Sequence, residues 1–149
     1  MSREQNTRAG GPVPRIRGYR ASDEEAVLAL WRRAGIDRPW LDLRAEIAEK
    51  RNRDRSLFLV AEASRTVVGA VMGAYDGRRG WVYHLAVEPE RQRQGLGRLL
   101  MLALEQRMCQ RGVTKINLQV RHDNLEVCRF YERLGYANEQ LVSFGKRLR

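Results

Sequence analysis

The stretch Glu88-Pro89-Glu90-Arg91-Gln92-Arg93-Gln94-Gly95-Leu96-Gly97-Arg98 decides how the rest of the chain is interpreted. It joins a strand-like segment, residues 81–87, to an amphipathic helix predicted from about residue 97 to residue 111. Two closely spaced glycines that open onto a helix present unpaired backbone N–H groups and the positive end of the helix dipole. Three arginines add positive charge, so the stretch predicts a phosphate-binding loop.

The length and composition predict one domain. A chain of 149 residues can fill a single core, which we place over residues 13–149. Residues 1–12 are polar, contain glycine and proline, and are predicted to form a disordered tail. We find no secretory signal, no apolar run of membrane-spanning length, and no metal-ligand spacing at Cys109 and Cys128. We therefore expect a cytoplasmic protein with no metal and no membrane partner.

The formal net charge of +10 raises the question of nucleic acid. Only three of the basic residues are lysines, Lys50, Lys115 and Lys146, and the arginines are scattered through every segment. A solvated, arginine-rich surface explains this distribution more simply than a nucleic-acid interface does, and an anionic ligand accounts for part of the rest. Nucleic-acid binding stays as a rival that only the charge favours.

Hydrophobic periodicity and turn residues predict the order β-α-α-β-β-β-α-β-α-β-β. The first helix begins at a capping box in which Ser22 is the N-cap and Glu25 lies three residues later. The strand–helix–strand unit over residues 81–120 must cross over, so its two strands should be parallel neighbours. The predicted elements are strands at 14–19, 57–61, 66–75, 81–87 and 115–120, helices at 22–35, 42–52, 97–111 and 124–134, and a closing pair of strands within 136–146.

The loop fits neither common nucleotide-binding motif. A dinucleotide fingerprint needs a third glycine where this chain has Leu100, and a P-loop needs Gly-Lys-Ser/Thr where it has Gly97, Arg98 and Leu99. A mere tight turn before a helix is the remaining ordinary interpretation.

Two motifs resemble the GNAT superfamily of acyl-CoA N-acyltransferases. Gln92-Arg93-Gln94-Gly95-Leu96-Gly97 is similar to its Gln/Arg-x-x-Gly-x-Gly/Ala signature, and residues 124–136 are similar to its Asn-x6-Tyr helix followed by Leu-Gly-Tyr. Arg38-Pro39-Trp40 and residues 71–77 resemble a little-characterised bacterial branch. The resemblance implies an α/β fold: a central mixed sheet of six to seven strands with four helices on its two faces.

The resemblance also implies how acetyl-CoA binds as a cosubstrate. The loop backbone would hold the pyrophosphate, because glycine lets the phosphate reach the N–H groups. The pantetheine arm would pair with the strand before the loop, as an added strand does. The implied contacts are Leu85, Ala86, Val87, Gln92, Arg93, Gln94, Gly95, Leu96, Gly97 and Arg98.

The fourth helix carries the implied general acid. Asn124 and Tyr131 lie seven residues apart on nearly one helical face. From the residues alone Tyr131 would be a packed aromatic side chain. The resemblance implies instead that its hydroxyl protonates the departing thiolate, while Asn124 contacts the pantetheine.

The general base is where the family pattern breaks. Relatives use a glutamate near the start of the strand before the loop, where this chain reads Trp81-Val82-Tyr83-His84. Ribosomal-protein acetyltransferases of the superfamily use a glutamate where this chain has Gln119, which cannot accept a proton at neutral pH. His84 is the remaining candidate, although a packed or hydrogen-bonded histidine is its ordinary interpretation. Tyr83 or a water held by backbone carbonyls is the alternative.

The acceptor is expected to be an amine of a small molecule, peptide or protein. Gln119 argues against a ribosomal-protein acetyltransferase. The candidate acceptor-binding residues are Arg38, Trp40, Tyr83 and Gln119. A second interpretation is an acyl-CoA-binding regulatory module without catalysis, because both usual base positions lack an acid. Whether a homodimer completes the sheet through the C-terminal strands stays open.

Overall fold

The computed structural model describes residues 13–149, and the predicted tail over residues 1–12 lies outside the described residues. The chain divides into two compact units, one ending at Leu118 and the other covering Gln119–Arg149. The first unit contains the sheet and three helices, and the second contains the fourth helix. One domain over residues 13–149 stays a prediction.

The order of elements agrees with the predicted order as far as the fourth helix. The elements are β1 (Arg15–Gly18), α1 (Glu24–Arg33), α2 (Leu43–Arg53), β2 (Phe58–Ala63), β3 (Thr66–Tyr75), β4 (Gly80–Val87), α3 (Leu96–Gln110), β5 (Ile116–Asn117) and α4 (Leu125–Arg133). None of the helices within residues 13–149 combines the length and apolarity needed to cross a bilayer.

The sheet follows chain order, β1-β2-β3-β4-β5. The first three pairings are antiparallel, and β4 and β5 are parallel, as the crossover rule predicts. The predicted hairpin between β2 and β3 is present. Its two turn residues, Ser64 and Arg65, have φ values of 49° and 63°, the left-handed pair that a tight hairpin turn requires. The mixed α/β fold class is therefore confirmed.

Helices cover both faces of the sheet. Alternate strand residues such as Phe58 and Val60 pack in one core with α1 and α2, which contribute Trp31 and Ile47. On the other face α3 packs closely because two strand residues are glycines. A Cβ on Gly73 would lie 2.7 Å from a Leu104 methyl carbon, and one on Gly69 would lie 2.9 Å from Leu100. These close approaches fix where α3, and hence its N-terminus, lies on the sheet.

The start of α1 differs from the predicted capping box. A 3₁₀ turn over Ala21–Asp23 precedes the helix, and Asp23 rather than Ser22 is the N-cap residue of α1. Its side chain does not bond to the helix but accepts a 2.8 Å hydrogen bond from the backbone N–H of Arg20, before the turn. Asp23 is buried and also accepts two hydrogen bonds from Arg17 on β1, at 2.8 and 2.9 Å. Arg17 donates a third to Glu62 on β2 at 2.6 Å. The buried ion pair with Arg17 thus holds Asp23 at the start of α1.

The sheet has five strands within residues 13–149, fewer than the six to seven expected. The predicted closing strands over 136–146 are absent, and β5 keeps only two residues of the predicted 115–120. Gln140 has a φ of 55°, which interrupts an extended backbone. The apolar residues of this segment remain exposed, Phe144 by 93%, so no burial favours strand pairing.

We predict that Asp23→Asn lowers the free energy of unfolding by about 2 to 4 kcal/mol at pH 7, since it leaves buried Arg17 with one carboxylate. Burial raises the pKa of Asp23, but the hydrogen bonds from Arg17 and Arg20 outweigh it, so the net pKa is lowered. Its stabilisation is therefore complete above about pH 4 and is lost as the pH falls through the folded-state pKa.

Urea unfolding at several pH values measures this effect. The difference between wild type and Asp23→Asn should stay constant from about pH 7 to about pH 4 and narrow only as the pH is lowered further. Asp37→Asn is the matched control, because its ion pair with Arg32 is exposed and 3.8 Å long. A difference that does not change with pH would contradict the role assigned to Asp23.

Candidate functional site

A β-bulge interrupts β4 at His84. Ala70 on β3 pairs with Ala86, and Met72 pairs with Tyr83, so two β4 residues lie opposite the single residue between them on β3. His84 takes a φ of 51°, in the left-handed region. Histidine adopts this conformation more readily than most non-glycine residues do. A bulge bends its strand and redirects the side chain.

Beyond the start of β4, its outer edge has no strand partner within residues 13–149. The parallel ladder to β5 consists of Gly80 opposite Ile116 and Trp81 opposite Asn117. Leu85, Ala86 and Val87 continue beside β3 alone. Their outer edge can therefore pair with an extended ligand.

The predicted phosphate loop lies directly after this edge. A 3₁₀ turn over Pro89–Arg91 follows β4, and Gln92 donates a 3.3 Å hydrogen bond back to the carbonyl of Val87. Glu88 accepts hydrogen bonds of 2.7 to 3.1 Å from Arg33 at the end of α1. These contacts attach the beginning of the loop to β4 and α1.

Gly95 turns the loop into α3. It is the N-cap residue, with a φ of 85°, and a Cβ there would meet nothing within 4 Å. Glycine is needed for this backbone conformation. The N–H groups of Leu96, Gly97 and Arg98 donate no hydrogen bond within residues 13–149. Unpaired N–H groups at a helix N-terminus are the groups that bind an anion, and the phosphate site predicted here stays a prediction.

His84 contacts two residues that the sequence did not associate with it. Its Nε2 lies 2.5 Å from Oε2 of Glu46 on α2. Its ring lies 5.0 Å from the ring of Trp31 on α1, centroid to centroid, at an interplanar angle of 54°. The His84 side chain is 18% exposed, so solvent still reaches it. A histidine held by a carboxylate and open to solvent can transfer protons.

The acceptor candidates of the first unit lie at its surface. Tyr83, next to His84, is half-exposed, and burial raises the pKa of its hydroxyl. Arg38 donates hydrogen bonds to the carbonyls of Gly35 and Asp37, at 2.7 and 3.3 Å, in the turn that follows α1. Trp40 is 61% exposed in the connection between α1 and α2.

The second unit contains the other candidates. The Asn124 side chain accepts from the backbone N–H of Val127 at 3.4 Å and caps α4, as predicted. Tyr131 is buried between the rings of Phe130 and Tyr136, at 5.0 and 5.6 Å. Burial raises the pKa of Tyr131 to about 12 and keeps its phenol protonated at neutral pH. Gln119 donates a 2.6 Å hydrogen bond to the Ser143 hydroxyl.

The structure thus brings the bulge, the open β4 edge and the loop together in the first unit, with His84, Leu85–Val87 and the start of α3 in succession. The sequence interpretation missed Glu46, one of the two acids of α2. It also missed Lys50, one turn later, whose Nζ donates to the Gly73 carbonyl at 2.5 Å. Burial lowers the pKa of Lys50. Helical spacing places Glu46 and Lys50 on the face of Leu43 and Ile47, which was the available signal.

The model of the acetyltransferase (GNAT) family matches residues 24–136. This is more than half of the chain and includes the bulge, the loop and the fourth helix. The chain therefore belongs to the GNAT acetyltransferase family.

Solved structures agree with this assignment. The chain is 26% identical to the ribosomal-protein-S18-alanine N-acetyltransferase from Escherichia coli, with a TM-score of 0.68 over 83% of this chain and 77% of that one. It is 25% identical to Ard1 from Thermoplasma volcanium, with a TM-score of 0.71 over 83% and 82%. PaiA N-acetyltransferase from Thermoplasma acidophilum, solved in complex with coenzyme A, shares the fold at 22% identity and a TM-score of 0.70, over 87% and 93%.

We predict that the bulge restricts which residues position 84 tolerates. His84→Asn and His84→Val both remove the contact with Glu46. The difference between their free energies of unfolding therefore reports the strain of the backbone conformation at position 84. A β-branched residue is strained at a φ of 51°, whereas asparagine is not. Urea unfolding should show His84→Val to be about 1 to 2 kcal/mol less stable than His84→Asn. Equal stabilities would mean that the bulge does not hold this residue in the left-handed region.

Proposed function

We propose that this chain transfers an acetyl group from acetyl-CoA to a primary amine by direct attack. The observation that carries the proposal is the succession of an unpaired β4 edge, the loop and the α3 N-terminus in a member of an acetyltransferase family. Coenzyme A is an extended chain that ends in phosphates. The unpaired strand edge can pair with the pantetheine arm, and the free N–H groups after it can bind the pyrophosphate.

The residues present fit this ligand. Leu85, Ala86 and Val87 would pair with the pantetheine arm, and residues 92–98 would hold the pyrophosphate. The arginines of the loop, Arg93 and Arg98, would add charge complementarity. Asn124 would contact the pantetheine. The coenzyme A bound to the relative from Thermoplasma acidophilum supports the same ligand here.

We assign the proton transfers to His84 and Tyr131. Acetyl-CoA supplies the acetyl group as a thioester. His84 takes a proton from the acceptor nitrogen, whose lone pair then forms the N–C bond. As the C–S bond breaks, its electron pair stays on sulfur, and the Tyr131 hydroxyl donates a proton to that sulfur. The nitrogen loses its second proton to water as the amide forms. His84 then releases its proton to water and Tyr131 regains one from water, so the chain is unchanged after each turnover.

Tyr83, Arg38 and Trp40 in the first unit, and Gln119 in the second, are the proposed acceptor-binding residues. The named relatives include an enzyme for a ribosomal-protein alanine. Gln119 stands where such enzymes have the glutamate base, and it donates to Ser143 here. This favours a different acceptor, a small-molecule amine or another peptide amine.

A screen with acetyl-CoA and a broad panel of amines and peptides, read out as free thiol, tests the proposal. We expect thiol release above the hydrolysis background with at least one class of amine, and an acetylated product by mass spectrometry. Calorimetry measures acetyl-CoA binding in parallel. Binding without thiol release across the panel would favour the regulatory module. Binding to nucleic acid that falls steeply with salt and ignores coenzyme A would favour the charge-based rival.

We predict that Tyr131→Phe lowers kcat by about 100-fold or more while the Kd for acetyl-CoA changes little. The substitution keeps the buried ring and removes the proton donor. Tyr136→Phe is the matched control, since it removes a hydroxyl from the ring packed against Tyr131. Steady-state kinetics and calorimetry separate the two effects. An unchanged kcat in Tyr131→Phe would remove this residue as the general acid.

A further inference from the structure

Glu46 and His84 form a pair that joins α2 to the bulge of β4. The Glu46 carboxylate lies 2.5 Å from His84 Nε2, and the two side chains are 35% and 18% exposed. Lys50, one turn further along α2, donates to the Gly73 carbonyl and forms no ion pair with Glu46. Within residues 13–149, the Glu46 carboxylate therefore has His84 as its side-chain hydrogen-bond partner.

Aromatic packing holds the His84 ring in this geometry. Trp31, fully buried, contacts the His84 ring on one side and stacks on Phe58 at 6.0 Å on the other. Phe58 stacks on Tyr19 at 4.2 Å, with planes 7° apart. This row of rings belongs to the core between the sheet and the first two helices. The imidazole is thus fixed by packing and by the carboxylate together.

The chemistry of the pair follows from which nitrogen faces the carboxylate. An ionised carboxylate only accepts hydrogen bonds, so Nε2 must carry the proton. In neutral imidazole the other nitrogen, Nδ1, is then the basic one. When Nδ1 takes a proton, the ring becomes a cation beside an anion, which stabilises the product of the transfer.

We propose that Glu46 is the positioning residue of the general base: it fixes His84 in the tautomer with basic Nδ1 and stabilises the imidazolium formed when the acceptor amine loses its proton. This inference rests on the proposed function. It also accounts for the absence of an acid at the two usual base positions, because an acid from α2 acts through His84 instead.

The charged groups on the surrounding elements do not supply this role. Arg33 at the end of α1 is paired with Glu88, and Lys50 on α2 is engaged with Gly73. Tyr83 on β4 stays protonated at neutral pH, because burial raises the pKa of a phenol that is already only weakly acidic. Glu46 is the carboxylate in contact with the imidazole.

Kinetics of Glu46→Gln test the role. We expect kcat/KM for the amine to fall about 10- to 100-fold while the Kd for acetyl-CoA stays unchanged. In a His84→Asn background the same substitution should have no further effect, because the residue it acts through is gone. Glu49→Gln is the matched control: Glu49 lies on the same helix, exposed and paired with Arg53, and its loss should leave kcat/KM unchanged.

Proton NMR supplies a readout that needs no activity. The chain has two histidines, so His122→Gln assigns the remaining imidazole signals to His84. We expect a downfield, slowly exchanging Nε2–H proton in wild type and in Glu49→Gln, and its loss in Glu46→Gln. If the Glu46–His84 hydrogen bond were purely structural, Glu46→Gln would lose the signal but leave kcat/KM unchanged.

The outcomes separate the two proposals. Thiol release with an unchanged kcat/KM in Glu46→Gln, or a full additional loss in the His84→Asn background, overturns the role of Glu46 and leaves the proposed function standing. A neutral wild-type His84 whose single ring proton lies on Nδ1 overturns it as well. Acetyl-CoA binding without thiol release from any amine overturns the proposed function, and the positioning role with it.

Discussion

At His84, β4 places two residues opposite one residue of β3, and the backbone enters the left-handed region. The parallel ladder with β5 stops at Trp81, so the next stretch of β4 keeps a free outer edge. The same bulge redirects the imidazole toward Glu46 on α2. One local departure from strand geometry therefore aims the side chain, directly beside the open edge.

The packing of α3 on the opposite face of the sheet sets where the predicted phosphate site at its N-terminus lies. Gly69 and Gly73 let α3 approach the strands closely, since a Cβ at either place would overlap a leucine side chain of the helix. Gly95 then admits the chain into α3 with a φ of 85°. The glycines of this fold act at different levels, some through close packing and one through backbone conformation. Together they place the helix N-terminus directly after the free edge.

Most of the fold could be predicted from local sequence. Apolar periodicity, the turn residues Ser64 and Arg65, and Asn124 before α4 each act over a few residues, and each prediction is confirmed. The predictions were wrong where the local structure depends on contacts with residues far away in the sequence. Asp23 rather than Ser22 is the N-cap residue of α1, and Arg17, on another element, binds its carboxylate. The segment 136–146 has strand-like composition but makes no ladder within the described residues, and composition alone does not supply a partner.

The sequence by itself determined the family, because the loop signature and the spacing from Asn124 to Tyr131 are local patterns that need no coordinates. It also singled out His84, as the residue left when the usual acids were missing. Only the tertiary structure decided what His84 contacts. Glu46 lies 38 positions away on a helix whose acids look alike in sequence, and their 2.5 Å contact exists because α2 packs beside the bulge. A base and the group that orients it come together through packing between elements, and no local pattern records that distance.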